Sequence, residues 1–318
     1  MYQMFDGTSL TARLVHVDID NLWVIEREFG LLGSLGDPAL IFERALPRAV
    51  SLFKERGVQA TFFIVGRDFE LTRATRDFLS AALAQGHEVA NHSMTHPVNW
   101  AMLSVEEKRA EVSLCHELVA NELGISLHGF RGPGYFVDRV IIEALADLNY
   151  RYDSSILPRI GPVLMFLYAR FMTRGKFDRS KSFGKISNIF HPCSLSRIPG
   201  SALVEIPLSV QPITGLPYHT TFVYQFGPSF ERMSEMLVRL LPPKYIIHLF
   251  HAIDFLDPNE IYKDNTKPLP LALRISLKQK MEIIDRQLSD AYSGKFITTT
   301  NFIDEIDKNK QCEKETVF

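Results

Sequence analysis

Cysteine is scarce in this chain, with three in 318 residues: Cys115, Cys193 and Cys312. The number is odd, the positions are scattered and no Cys-x-x-Cys pair occurs. That excludes a disulfide framework and a zinc–thiolate site, and it predicts reduced thiols in a cytosolic protein. An excess of charge of one sign is also lacking: 35 Lys and Arg stand against 37 Asp and Glu, a formal net charge of −2. No global field favours nucleic acid, so no nucleic-acid partner is expected. No apolar run reaches the ~18–20 residues of a membrane-spanning helix. Residues 1–11 show no basic segment followed by an apolar one, so no signal peptide is read and a cytoplasmic location is expected. Internal repeats and low-complexity tracts are absent as well.

What the chain does have is apolar content, 46% of its residues. That is enough for one large core, and α/β barrels of such length commonly form one unit. A single domain is expected over 1–303, followed by a charged, frayed tail at 304–318.

The hydrophobic pattern alternates between two periods. In Arg13–Asp20, Val15, Val17 and Ile19 point one way and His16, Asp18 and Asp20 the other. Further strands are predicted at 60–65, 88–90, 127–130, 150–153, 203–207, 245–251 and 295–299. Helices are predicted at 38–55, 73–85, 138–149, 229–241 and 271–289, and another is opened by the Ser104/Glu107 capping box. Strand and helix alternate almost throughout, which predicts a parallel α/β architecture closed as a barrel. In such barrels the chemistry sits at the C-terminal ends of the strands.

The polar clusters fall at those ends. Asp18 and Asp20 share a strand face at about 6–7 Å, so one carboxylate can hold a metal while the other stays free as a base. Asn91-His92-Ser93-Met94-Thr95-His96 carries two histidines four apart. One helical turn would place their imidazoles on one face, where they could close on a divalent cation. One carboxylate and two imidazoles form a set open to water and substrate. Zinc is the first expectation, with iron, cobalt or nickel as alternatives. Arg131 precedes a Gly-Pro-Gly turn that exposes backbone N–H groups, such as that of Tyr135, to an oxyanion. His248 and His251 are three apart on a strand, so only one faces the barrel interior; His251, nearer the strand end, is chosen. His16 reads as a packed residue beneath Asp18. His87, His116, His128, His191 and His219 show no partner pattern and are read as structural.

The segment 156–200 interrupts the alternation. An apolar run, 160–169, precedes Arg170, Arg174, Lys176, Arg179, Lys181 and Lys185. Two readings stand: a helix packed on the barrel with a solvated basic tail, or a peripheral membrane or lipid contact through 160–185.

Asp18-x-Asp20, His92-Ser-x-x-His96, Arg131-x-Pro133-x-Tyr135, Tyr152-Asp153-Ser154-Ser155 and Leu249-Phe250-His251-Ala252 occur in this order. Together they resemble the motifs of the polysaccharide deacetylase (NodB-homology) family over about 14–256. The resemblance implies a distorted (β/α) barrel of about seven parallel strands. It implies a metal-dependent hydrolase that removes an N-acyl group, acetyl or formyl, from an amino sugar. It makes Asp20, His92 and His96 the metal ligands, Asp18 the general base and His251 the general acid. Arg131 would hold Asp18, the Tyr135 N–H would face the oxyanion, and Asp153 would orient its neighbours. Two departures, a residue between the aspartates and His-Ala in the last motif, look more like the lipid-linked aminoarabinose deformylase branch and like some intracellular peptidoglycan deacetylase relatives. That implies a polyprenyl-phosphate-linked sugar at the cytoplasmic membrane face. The alternatives are an amide hydrolase of the same fold acting on a soluble ureide or cyclic imide, and a non-catalytic carbohydrate-binding relative.

Overall fold

The computed structural model describes residues 3–4, 12–31, 33, 35–161, 163–164, 167, 184, 186–261, 269–289 and 294–315. Ten strands form a single curled sheet: β1 (Gln3–Met4), β2 (Ala12–Asp18), β3 (Ala60–Ile64), β4 (Glu88–Asn91), β5 (Gly129–Phe130), β6 (Tyr152–Asp153), β7 (Ser196–Arg197), β8 (Val204–Glu205), β9 (Tyr245–His251) and β10 (Lys295–Phe296). Seven of them pair in parallel in the order β9-β2-β3-β4-β5-β6-β8. The short β10 also runs parallel, beside the start of β2. Two strands not foreseen from the sequence, β7 and β1, extend the β8 edge antiparallel. β7 lies inside 156–200, so that segment contributes to the sheet. Its basic residues Arg170, Arg174, Lys176, Arg179, Lys181 and Lys185 fall outside the described residues.

Between β8 and β9 the wall is made by isolated contacts from residues 207–219. The Tyr245 hydroxyl donates to Pro207 O, Ile247 N donates to Ser209 Oγ, and His219 bridges to Leu249. The result is the distorted barrel expected. Alternation sorts the side chains into two layers. Leu14, Phe63, Ala90, Tyr152, Ile247 and Leu249 fill the interior. Val15, Val17, Phe62, Ile64, Val89 and Phe250 face the surrounding helices.

The helices are α1 (Leu22–Phe29), α2 (Leu46–Glu55), α3 (Asp68–Leu71), α4 (Ala74–Ala84), α5 (Val105–Leu123), α6 (Arg139–Asp147), α7 (Thr220–Phe226), α8 (Pro228–Leu240), α9 (Leu277–Gln287) and α10 (Thr299–Glu315). Ser104 and Glu107 form the capping box of α5, as expected. The helix predicted at 38–55 contains a π-helical turn at Ile41–Ala45. One expectation is corrected at the C-terminus. The 304–318 segment is not a frayed tail from its start: α10 continues to Glu315, and its residues Phe302, Ile303 and Ile306 are buried in the barrel interior. Charge in the last turns masked this apolar stripe. Among the described residues no helix is long and apolar enough to cross a membrane.

Candidate metal centre and acid–base site

Asp20 follows β2, and His92 and His96 follow β4. Their ligand atoms lie within 4.8 Å of one another, and all three residues are buried. Asp20 Oδ1 is 3.4 Å from His92 Nε2 and 3.1 Å from His96 Nε2. This oxygen is buried and accepts no hydrogen bond. Bonds of about 2.0–2.1 Å at tetrahedral angles would separate ligand atoms by about 3.3 Å. The three atoms therefore converge as ligands of a single cation would, and the residues fit a divalent metal. Electrostatics agree. Burial alone would raise the Asp20 carboxyl, but the His96 and His92 imidazoles outweigh it and hold the group well below the usual range. Burial likewise opposes a charged His92, yet Asp20 and Asp18 raise its pKa. The pocket is a buried anion that recruits positive charge.

The histidine pair is not on a helix, which corrects the sequence reading. It lies in a loop where Ser93 and His96 both adopt left-handed backbone, with φ of 68° and 52°. Such conformations cost free energy for non-glycine residues and persist only where neighbours enforce them. The enforcement is visible. Asn91 Oδ1 accepts from Ser93 N, and Ser93 Oγ accepts from His96 N. Glu111 of α5 accepts from both Thr95 N and Thr95 Oγ1. Arg27 of α1 donates to Thr95 O and His96 O. The His92 Nδ1–H donates to Arg131 O at 2.6 Å, leaving the Nε2 lone pair free for the metal. Glu28 Oε1 lies 3.5 Å from His96 Nδ1. Arg27, Glu28 and Glu111 carried no sequence signal.

Asp18 and His251 are register partners on β2 and β9. His251 Nε2 approaches Asp20 Oδ2 at 3.6 Å, and its backbone N–H donates to Asp254. His248 points away from the interior and packs against Tyr218 and Phe296, as parity required. Arg131 is fully buried. It donates to Asp18 Oδ1 at 2.7 Å, to His16 Nδ1 at 2.6 Å, and to both Ser154 O and Ser154 Oγ. Since a guanidinium only donates, His16 Nδ1 must accept, and its Nε2–H then meets Thr299 Oγ1 at 2.8 Å. Burial and Arg131 together keep His16 neutral.

Tyr135 sits in a tight turn with φ of 60°. Its backbone N–H donates to Gly132 O at 2.9 Å, because the loop closes on itself as a 3-10 turn. Gly132 is required there: a Cβ would stand 1.9 Å from Phe136 O, a backbone atom.

Asp153 lies beneath this loop. Ser155 Oγ accepts from Gly132 N and donates to Asp153, which ties the turn to β6. The sequence reading missed the partner of Asp153, which is Glu205. The two are register partners on β6 and β8, both buried, and each leaves one carboxyl oxygen, Asp153 Oδ2 and Glu205 Oε2, buried without a hydrogen-bond partner. A single acid inside the apolar run Leu203–Pro207 was the available signal. Burial and the Asp153 charge raise the Glu205 pKa well above its ordinary value, so the pair shares a proton. Below the unfolded carboxyl range, near 4.3, both states hold that proton and the contribution to stability is complete. As pH rises the unfolded chain releases the proton while the fold retains it, so stability falls through the folded pKa. Glu205→Gln should flatten this decline. Melting temperatures from pH 5 to 9 check it; parallel curves for the two proteins would refute the shared proton.

Residues 37–152 match the polysaccharide deacetylase family. The chain is 41% identical over 51 residues to a chitooligosaccharide deacetylase of Sinorhizobium fredii, covering 16% of this chain and 22% of that protein. It is 27% identical over 115 residues to a peptidoglycan deacetylase of Helicobacter pylori, covering 36% of this chain and 38% of that protein. The matched part thus spans well under half the length of either relative. The fold extends further. A provisionally assigned polysaccharide deacetylase from Mycobacterium smegmatis superposes with a TM-score of 0.58 at 15% identity, covering 97% of this chain and 94% of that one. Four of the family motifs recognised in the sequence, those of Asp18, His92, Arg131 and His251, meet at one end of this barrel; the fourth motif, through Asp153, supports the loop beside them.

Proposed function

We propose that this polysaccharide deacetylase relative is a metal-dependent hydrolase that removes an N-acyl group from an amino sugar. The observation that carries the reading is the unsatisfied Asp20 Oδ1 facing two imidazole nitrogens, with a buried carboxylate and a third histidine at adjacent strand ends. The relatives' names, both deacetylases of amino-sugar polymers, support the substrate class.

Asp20, His92 and His96 would hold the metal, with zinc the first candidate. When bound, the metal supplies Lewis-acid polarisation of the acyl carbonyl and acidification of water. Asp18 is the base: Arg131 fixes one of its oxygens, and the carboxylate takes a proton from the attacking water. His251 stands beside Asp20 and gives a proton to the departing amine, which is a poor leaving group unless protonated. Asp153, through Ser155 and Gly132, keeps the Arg131–Tyr135 loop in place.

The acyl group is acetyl or formyl. A polyprenyl-phosphate-linked sugar is the finer proposal, supported by the apolar–basic composition of 160–185. Within that stretch Ile160 and Leu167 are exposed, and so is Phe190 beyond it.

His251→Ala is the direct test. It should keep its metal and lose about 10²–10⁴-fold in kcat on N-acetyl and N-formyl amino-sugar oligomers. Retention of wild-type kcat would remove His251 from the mechanism.

A further inference from the structure

We infer that Glu28 is a positioning residue of the metal centre: its carboxylate accepts the Nδ1–H of His96 and so commits the Nε2 lone pair of that ring to the cation. The inference rests on the metal-dependent hydrolase reading above and assigns the group behind its third ligand. Glu28 Oε1 stands 3.5 Å from His96 Nδ1, within ion-pair range, and only 4% of the His96 side chain and 26% of the Glu28 side chain are exposed.

The direction of the contact follows from chemistry. His96 Nε2 is the atom that converges on Asp20 Oδ1, at 3.1 Å. A neutral imidazole carries one proton, so a ring that offers Nε2 to a metal holds its proton on Nδ1. Two groups stand at that nitrogen, both at 3.5 Å: Arg27 Nη2 and Glu28 Oε1. A guanidinium has no acceptor, so Arg27 cannot receive the Nδ1–H and Glu28 can. Arg27 donates instead to Thr95 O and His96 O. Consecutive residues of α1 thus divide two tasks: Arg27 holds the carbonyls of the histidine loop, and Glu28 orients its ring.

Local structure gives no other reason for an acid at this place. Glu28 lies in the last turn of α1, one residue before its end at Phe29. That turn carries the negative end of the helix dipole, where a carboxylate is disfavoured and a cation such as Arg27 is favoured. The nearby Glu26 has backbone partners of its own, accepting from Gly33 N and Leu35 N. Glu28 is turned to the histidine loop. The contact also makes the two imidazoles unequal. His92 Nδ1 is backed by a neutral carbonyl, Arg131 O at 2.6 Å, whereas His96 is backed by a carboxylate. A charged acceptor raises the basicity of the ring in front of it and fixes its orientation, so His96 is the stronger of the two nitrogen ligands.

The experiment titrates zinc into the metal-free full chain against a chromophoric chelator and compares wild type with Glu28→Gln and Glu28→Ala. Glu28→Ala should weaken zinc binding about 10–100-fold, the range for outer groups that orient a metal ligand. Glu28→Gln keeps an acceptor without the charge and should fall between the two. Melting temperatures separate positioning from a structural role. The metal-free variants should melt with the metal-free wild type, and only the zinc-induced rise should shrink. Nitrogen-15 correlation spectra of the zinc-loaded wild type should show the His96 proton on Nδ1, and in Glu28→Ala that proton should exchange faster with water. Wild-type zinc affinity in Glu28→Ala would overturn the inference and leave the metal centre standing. A zinc-loaded His96 with its proton on Nε2 would overturn it as well. So would a metal-free Glu28→Ala that melts lower while zinc raises both proteins equally, since Glu28 would then be structural. If the wild type itself binds neither zinc nor cobalt, the metal-centre reading fails and the inference falls with it.

Discussion

Replacing His92 and His96 together by alanine should take metal content from about one per chain to none, by elemental analysis, and abolish deacylation. The two rings supply two of the three converging ligand atoms. Asp20 alone of the three converging ligands would then remain. Loss of metal-supplied stabilisation of several kcal/mol, at tenfold per 1.36 kcal/mol, corresponds to at least ~10³-fold in rate. Asp20→Asn should give the same metal loss with a smaller change in packing. A wild-type protein that is metal-free, and still inert after zinc or cobalt is added back, would favour a non-catalytic carbohydrate-binding role. A double variant that retains stoichiometric metal would place the site elsewhere.

Arg131→Met should be among the most destabilising single changes in the molecule. Arg131 is completely enclosed, with its guanidinium 4.2 Å above the Phe63 ring. Its removal leaves Asp18 as a buried carboxylate whose main partner is gone, and it leaves His16 Nδ1 and Ser154 O without their donor. Breaking one side of a buried pair costs about 3–5 kcal/mol. Denaturant unfolding should show that loss. Arg131→Lys should not restore it, because one ammonium cannot bridge Asp18, His16 and Ser154 as the planar fork does. Arg131→Met with Asp18→Asn should recover part of the stability and none of the activity. That separates the cost of an unpaired charge from the loss of the base. Equal stabilities for the single and double variants would show that Asp18 is not the group Arg131 neutralises.

These residues were not equally legible. The strand that begins with Ala12 declares its two faces by alternation, whereas the strand that ends in His251 is apolar on both faces and separates its two histidines only by their odd spacing. Parity put Asp18 on the polar face and His248 and His251 on opposite faces, and nearness to the strand end chose His251 as the inward one. The helix Leu22–Phe29 was missed although Asn21 caps it through its side chain. Its Arg27 and Glu28 then entered the site unannounced. The histidine pair was identified correctly, but the four-residue spacing was attributed to a helical turn. The chain reaches the same convergence through two left-handed residues, which no spacing rule encodes. His219 was set aside because its partners are distant in sequence: Tyr135 comes 84 positions earlier and His251 32 later.

The sequence by itself determined the class of the fold, the inward or outward direction of each long-strand residue, and the set of side chains able to hold a metal. Those properties depend on a repeat of two or of about 3.6 residues along the chain, and a repeat is local. Only the tertiary structure decided which polar groups meet. Asp153 faces Glu205 because β6 and β8 pair at that register. The Tyr135 N–H meets Gly132 O because the loop folds back on itself, and its hydroxyl meets His219, 84 positions away in sequence. Register, loop backbone angles and barrel curvature bring remote residues together, and none of the three is written in the spacing of residues along one strand.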